Sequence, residues 1–146
     1  MNNNIELTDE EKVNEDGVTL FRIKAKKSFN HKSAGKIKVG TLGGWVDSLN
    51  RLKDNAWISG NAEVYGDAEV SGNVEVYDNA EVSGNAKISG DAEVYDDAKV
   101  TDNAEVYDNA EVSGNAKISG DVKIFGDAKI YGGDEVTDNA EVYDDD

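Results

Sequence analysis

From Asn55 to Asp144 the chain repeats every six residues, and that period leaves few folds open to it. The segment reads NAWISG, NAEVYG, DAEVSG, NVEVYD and so on to NAEVYD, fifteen hexapeptides across 90 residues without an insertion. With few departures each runs Asn/Asp, small apolar, charged, Val/Ile, Tyr/Ser/Thr, Gly/Asp. In Ala62-Glu63-Val64 apolar residues alternate with an acid, the period of a half-buried strand. Gly or Asp followed by Asn or Asp then supplies a corner, because these residues tolerate positive φ. Strands of about four residues joined by two-residue corners are too short for a hairpin meander. They wind instead as a parallel coil, three hexapeptides to a turn, stacking five coils at ~4.8 Å around inward columns of Ala and Val/Ile. A net charge of −16 with sparse apolar residues would ordinarily indicate disorder. The strict order of the residues overrules that composition, since stacking builds a core from few apolar side chains.

Three hexapeptides to a turn fix which side chains share a face. A first face carries Glu69, Lys87, Glu105, Lys123 and Glu141 in successive coils. A second carries Glu63, Glu81, Lys99, Lys117 and Glu135, and a third Trp57, Glu75, Glu93, Glu111 and Lys129. Opposite charges on neighbouring strands contribute a few tenths of a kcal/mol each. The first face also aligns Tyr107, Phe125 and Tyr143, and the third aligns Tyr77 with Tyr95. Residues 73–102 and 103–132 are near copies of each other. Their 30-residue length is not a whole number of three-sided coils, so the copies present their side chains on different faces.

Residues 1–54 differ in character. Residues 1–16 read as a polar acidic arm, and 17–54 as a small β cap over the first coil of the solenoid at 55–146. Gly17 to Lys24 reads as one strand of the cap and Lys36 to Val46 as a second, with a loop over Ser28–Gly35 holding the sole histidine, His31. Trp45, Val46, Leu49 and Trp57 are the expected pieces of the lid that an open solenoid end requires. At the other end Asp134 replaces the repeat's Ala, and the charges of Asp144, Asp145 and Asp146 are expected to discourage end-to-end stacking.

The repeat over residues 55–144 resembles that of the left-handed β-helix proteins of the acyltransferase-like superfamily. That resemblance implies an all-β fold, a left-handed parallel β-helix of five three-sided coils with the small N-terminal β cap. Gly17–Ile23, Gly40-Thr-Leu-Gly-Gly-Trp45 and Asn55-Ala-Trp-Ile together resemble the N-terminal module of uncharacterised hexapeptide-repeat proteins of bacterial prophages and gut phages. This second likeness implies a phage or mobile-element setting and no particular activity.

Many members of the acyltransferase-like superfamily are enzymes that use a histidine on a coil or loop as general base. Here no coil carries a His and no loop interrupts the repeats, while His31 reads as exposed or packed against the cap. The chain has no Cys nucleophile and no Ser with a His and an acid at hand. The expectation is therefore no enzyme, no cofactor and no metal. The corners Asp78-Asn79, Asp96-Asp97 and Asp102-Asn103 line up Ca²⁺-type oxygen ligands, but Asp and Asn occupy corners for turn geometry alone. Without a leader or an apolar span the protein is expected in the cytoplasm of a host bacterial cell.

Charge is unevenly divided. Residues 1–54 hold 10 Lys/Arg against 8 acids, and residues 55–146 hold 5 Lys against 23 acids. The rod thus carries roughly one net negative charge per 1.3 Å of its height, against one per ~1.7 Å of duplex DNA. The leading expectation is a phage-type inhibitor whose acidic solenoid engages a basic channel, such as that of a nucleic-acid-binding defence nuclease, by nucleic-acid mimicry. Its contact residues are expected to be Glu75, Glu93 and Glu111 on one face, with Asp78, Asp96, Asp97, Asp102 and Asp108 at the corners. Self-association is expected to use Tyr107, Phe125 and Tyr143. The alternatives are a structural or assembly module of a virion or mobile element, and a degenerate acyltransferase-like protein. The basic stretch Arg22, Lys24, Lys26, Lys27, Lys32, Lys36 and Lys38 is expected to meet acidic protein surface from another copy, not nucleic acid, which the rod would repel. No membrane contact is expected.

Overall fold

The structure, a computed structural model, describes residues 2–144. Met1, Asp145 and Asp146 lie outside them, and with the two aspartates part of the expected acidic terminal edge. The fold is all-β: parallel strands stack coil upon coil into a β-solenoid of about six turns, and Leu49–Arg51 form a single 3-10 turn. Pairing follows a constant register of 18 residues. Glu63 pairs with Glu81, Glu81 with Lys99, Lys99 with Lys117 and Lys117 with Glu135. The other two faces follow suit, from Glu69 to Glu141 and from Trp57 to Lys129. The winding starts upstream of the hexapeptides, because Trp45 pairs with Glu63 and Leu52 bridges Val70 in the same register.

Two side-chain columns per face point inward. The second hexapeptide residue, usually Ala, and the fourth, Val or Ile, are fully buried from Ala56 through Ile124 with scarcely an exception. Each such Val contributes about 1.5–3 kcal/mol relative to an exposed one. Where three faces converge there is room for little more than a methyl group, hence the Ala columns, relieved by Val at 74 and 122.

The corners explain the rest of the repeat. The sixth residue has φ near +60° to +80° at every turn from Gly60 to Asp138. Gly meets that demand without a Cβ, and Asp tolerates it while its carboxylate caps the corner of the next coil. Asp96 accepts from the Gly114 N–H at 3.0 Å, Asp102 from Gly120 at 3.0 Å and Asp108 from Gly126 at 3.1 Å. The first residue forms a second ladder, Asn61 donating to Asn79 and Asn79 to Asp97, each at 3.1 Å.

The cap is more ordered than the sequence reads. In place of a polar arm, β1 (Ile5–Val13) pairs antiparallel with β2 (Thr19–Ala25), which pairs antiparallel with β5 (Leu42–Val46). Acidic residues hide β1 because it is the outermost strand of its sheet, with only Ile5 turned into the core. Asn2 and Asn4 also tie it to the first coil, through the Ala56 carbonyl and the Asn55 side chain, both at 2.8 Å. The expected second strand divides into β4 (Gly35–Ile37) and β5 around a turn at Gly40, φ +87°. The expected loop is half strand, since β3 (Phe29–His31) and β4 form a hairpin. Of the expected lid residues Val46 is buried, but Trp45 faces outward in register with Glu63, beneath the Lys12 ammonium at 4.6 Å. Leu20, Ile23 and Leu52 are the large buried side chains of the cap.

Replacing the Asp102 carboxylate separates corner geometry from charge. Asp102→Ala loses the bond to Gly120 and places an unsupported Cβ at positive φ, so it should cost about 1–2 kcal/mol. Asp102→Asn retains an acceptor on a residue that tolerates this conformation and should cost less than half as much. Chemical denaturation of both variants measures the difference.

Candidate functional site

The third face and its two edges gather most of the acids singled out in the sequence. Glu75, Glu93 and Glu111 occupy consecutive rungs of one column, roughly 4.8 Å apart. Asp78, Asp96 and Asp97 line one edge, in a shallow groove of about 580 Å³ with Asn79, Gly60 and Gly114. Asp108 lies on the opposite edge beside Asp91 and Asp127, in a second groove of about 500 Å³. Asp102 is not part of this surface: it stands with Asn103 in the third row of corners, between the other two faces. Asp91 and Asp127 were missed in the sequence, although counting in steps of eighteen from Asn73 places both in that edge row.

Glu93, the middle of the three glutamates, does not ionise like an isolated carboxylate. Partial burial, followed by a hydrogen bond and charge repulsion from Glu111 and the charge of Glu75, pushes Glu93 up to about 7. A hydrogen bond from Ser33 works in the opposite direction. Glu93 thus keeps its proton to higher pH than an isolated carboxylate does. At the lower end of the column Lys129 approaches Glu111 at 3.8 Å. Beside it Tyr77 and Tyr95 stack with centroids 4.9 Å apart and planes 4° apart, which covers the ring faces they turn to each other. Burial, then the charges of Glu93 and Glu75, hold the Tyr77 hydroxyl well above its ordinary value.

The β3–β4 hairpin closes the upper end of this face. Phe29 packs edge-on against Trp57 at 5.9 Å, which leaves Trp57 2% exposed despite its outward position. Ser33 donates to Glu75 at 3.0 Å, and the Lys32 ammonium pairs with Asp91. The Lys32 bond, with help from Asn73, holds the Asp91 carboxyl below its usual range. His31 pins the hairpin. Its Nδ1 faces the backbone N–H groups of Ser33 at 3.2 Å and Ala34 at 3.1 Å, so it accepts, and Nε2–H therefore donates to the Val74 carbonyl at 3.1 Å. With 3% exposure this histidine is a packing residue of the cap. Three residues of the basic stretch meet acids within their own chain: Arg22 pairs with Glu10, Lys24 with Glu6 and Lys32 with Asp91.

The first face brings together the aromatic residues read from the sequence. Tyr107 stacks on Phe125 and Phe125 on Tyr143, both at 5.1 Å. Among the described residues no group of three or more His, Cys, Asp or Glu side chains is arranged to hold a metal ion. Compared with known proteins, the chain matches no protein-family model and no curated protein sequence. Fold and surface therefore define it at the level of a class, a hexapeptide-type β-solenoid with one predominantly acidic face.

Glu93 binds its proton more tightly in the folded chain than in the unfolded one. Its effect on stability is absent below the ordinary carboxylate range and becomes an increasing cost as pH rises through about 7. Glu93→Gln should therefore raise stability at pH 8 by on the order of 1 kcal/mol, a figure kept small because solvent screens a largely accessible group. The gain should vanish by about pH 5 in thermal melts across that range.

Proposed function

We propose that this protein is a non-catalytic interaction protein whose acidic third face binds the basic nucleic-acid channel of a partner and blocks it by mimicry. A phage-type inhibitor of a host defence protein, acting in the bacterial cytoplasm, is the setting that the N-terminal likeness favours. The observation that carries the reading is the distribution of charge. Glu75, Glu93 and Glu111 run unbroken between two rows of corner aspartates, whereas the other two faces mix lysines into their columns. Stacked coils hold these carboxylates on a rigid frame, so little ordering entropy opposes binding. The engagement of both His31 nitrogens supports the non-catalytic part of the reading. A left-handed winding is taken from the likeness of the repeat to the acyltransferase-like solenoids.

The second reading, a structural module, is favoured by the corner aspartates. Asp78, Asp96, Asp102 and Asp108 each direct a carboxylate oxygen to a backbone N–H of the next coil. Asparagine substitution separates the two readings, because it preserves the corner and removes the charge.

The test is capture of partners from bacterial lysate on the tagged protein, at low and high salt and with competing duplex DNA. Mimicry predicts a nucleic-acid-binding protein that salt and DNA displace. It further predicts that Glu75→Gln, Glu111→Gln, Asp78→Asn and Asp96→Asn together weaken that complex at least tenfold while the melting temperature stays within a few degrees. A basic partner should also strip the proton held by Glu93, so binding near pH 7 should release protons, measurable by calorimetry in buffers of different ionisation enthalpy. Capture that ignores salt, DNA and these substitutions rejects the reading.

A further inference from the structure

The first face differs from the other two in what lies on it. Lys12 and Asn14 reach over the second face to Glu63 at 3.0 and 3.2 Å, and Asp16 accepts from the Tyr65 hydroxyl at 2.6 Å. The β3–β4 hairpin lies on the third. On the first face the cap stops at Lys53, which pairs with Glu69 at 2.9 Å in the plane of the winding. Among the described residues no cap hydrogen bond, ion pair or ring contact reaches Lys87, Glu105, Lys123, Glu141 or the aromatic stack beside them.

The uncovered column alternates in sign. Among the described residues Lys87, Glu105, Lys123 and Glu141 form no ion pair within 4.0 Å, unlike Lys99 with Glu81 at 3.5 Å on the second face. Such a column is its own complement under one arrangement. A two-fold axis parallel to the strands, midway between the Tyr107 and Phe125 rungs, reverses the order of the coils and keeps each column facing itself. Glu105 of one copy then faces Lys123 of the other, and Lys87 faces Glu141. Tyr107 meets Phe125 edge to edge, and Tyr143 meets Ser89. Each contact occurs twice. Copies running in the same direction, rung against rung, would set like charge on like. The second face has a comparable match only through Glu63, which the cap already buries.

We propose that the first face joins two copies of this chain antiparallel about that axis. Four rungs about 4.8 Å apart and about four residues wide cover on the order of 300 Å² per copy. This is well under the ~800 Å² per partner of a standard interface, so the dimer is weak, concentration-dependent and salt-sensitive.

Sedimentation velocity from about 10 µM to about 1 mM reads the association. The wild type should dimerise across that range. Lys87→Glu with Lys123→Glu should lose at least tenfold in affinity, and so should Glu105→Lys with Glu141→Lys. Mixing the two double variants makes every cross-copy pair opposite in sign again and should restore a heterodimer. Tyr107→Ser, the residue type this column carries at 71 and 89, should weaken the wild-type dimer several-fold even if a double variant melts early. A wild type monomeric throughout, variants that associate like the wild type, or a mixture without rescue would each overturn the proposal.

Discussion

The constant 18-residue register between coils is the constraint on which everything else rests. Each short strand makes too few contacts to exist alone, and gains its partners only when the coils above and below match it residue for residue. That match requires the chain to turn at the same place every time. The sixth residue supplies the turn at positive φ, and the choice of Gly or Asp there follows. The Ala and Val/Ile columns, the Asn ladders and the stacked rings are all products of alignment, since identical positions fall over one another.

The same alignment makes electrostatics a property of columns. Where a column alternates, as along Glu69, Lys87 and Glu105, neighbouring charges stabilise one another across the sheet. Where it does not, as along Glu75, Glu93 and Glu111, the chain holds back a proton and spends Ser33 and Lys129 at the two ends of the run. Glu93 in that column therefore carries less charge near neutral pH than an isolated carboxylate would. A cationic partner would recover that missing charge, which links affinity for such a partner to pH.

The solenoid was legible because its information is periodic. Counting in sixes placed the strands and corners, and counting in eighteens placed every rung pair and both aromatic stacks. The cap was legible only in part, since its signals are not periodic. β1 reads as a solvated arm because it offers one face to the sheet and charged residues elsewhere. The role of His31 depends on a carbonyl 43 residues away, which no local pattern announces. Trp45 looks like a core residue by size, yet strand register turns it outward. For the acidic surface, the sequence grouped the three glutamates correctly but drew Asp102 in with them and left Asp91 and Asp127 out. The corners form three separate rows, and the aspartates read from the sequence fall in all three.

An eighteen-residue turn is also a ruler with a phase. A deletion or insertion of one whole turn would change the height of the rod and leave each column continuous. A change of six residues would rotate everything below it by one face, so that glutamates and lysines would continue in one another's columns. The 30-residue duplication within residues 73–132 is a slip of this second kind. Lengthening by such a slip redistributes charge among the faces without altering the composition of a single repeat. For a lineage of these chains, surface character can thus shift through the spacing of its copies while every core contact is conserved.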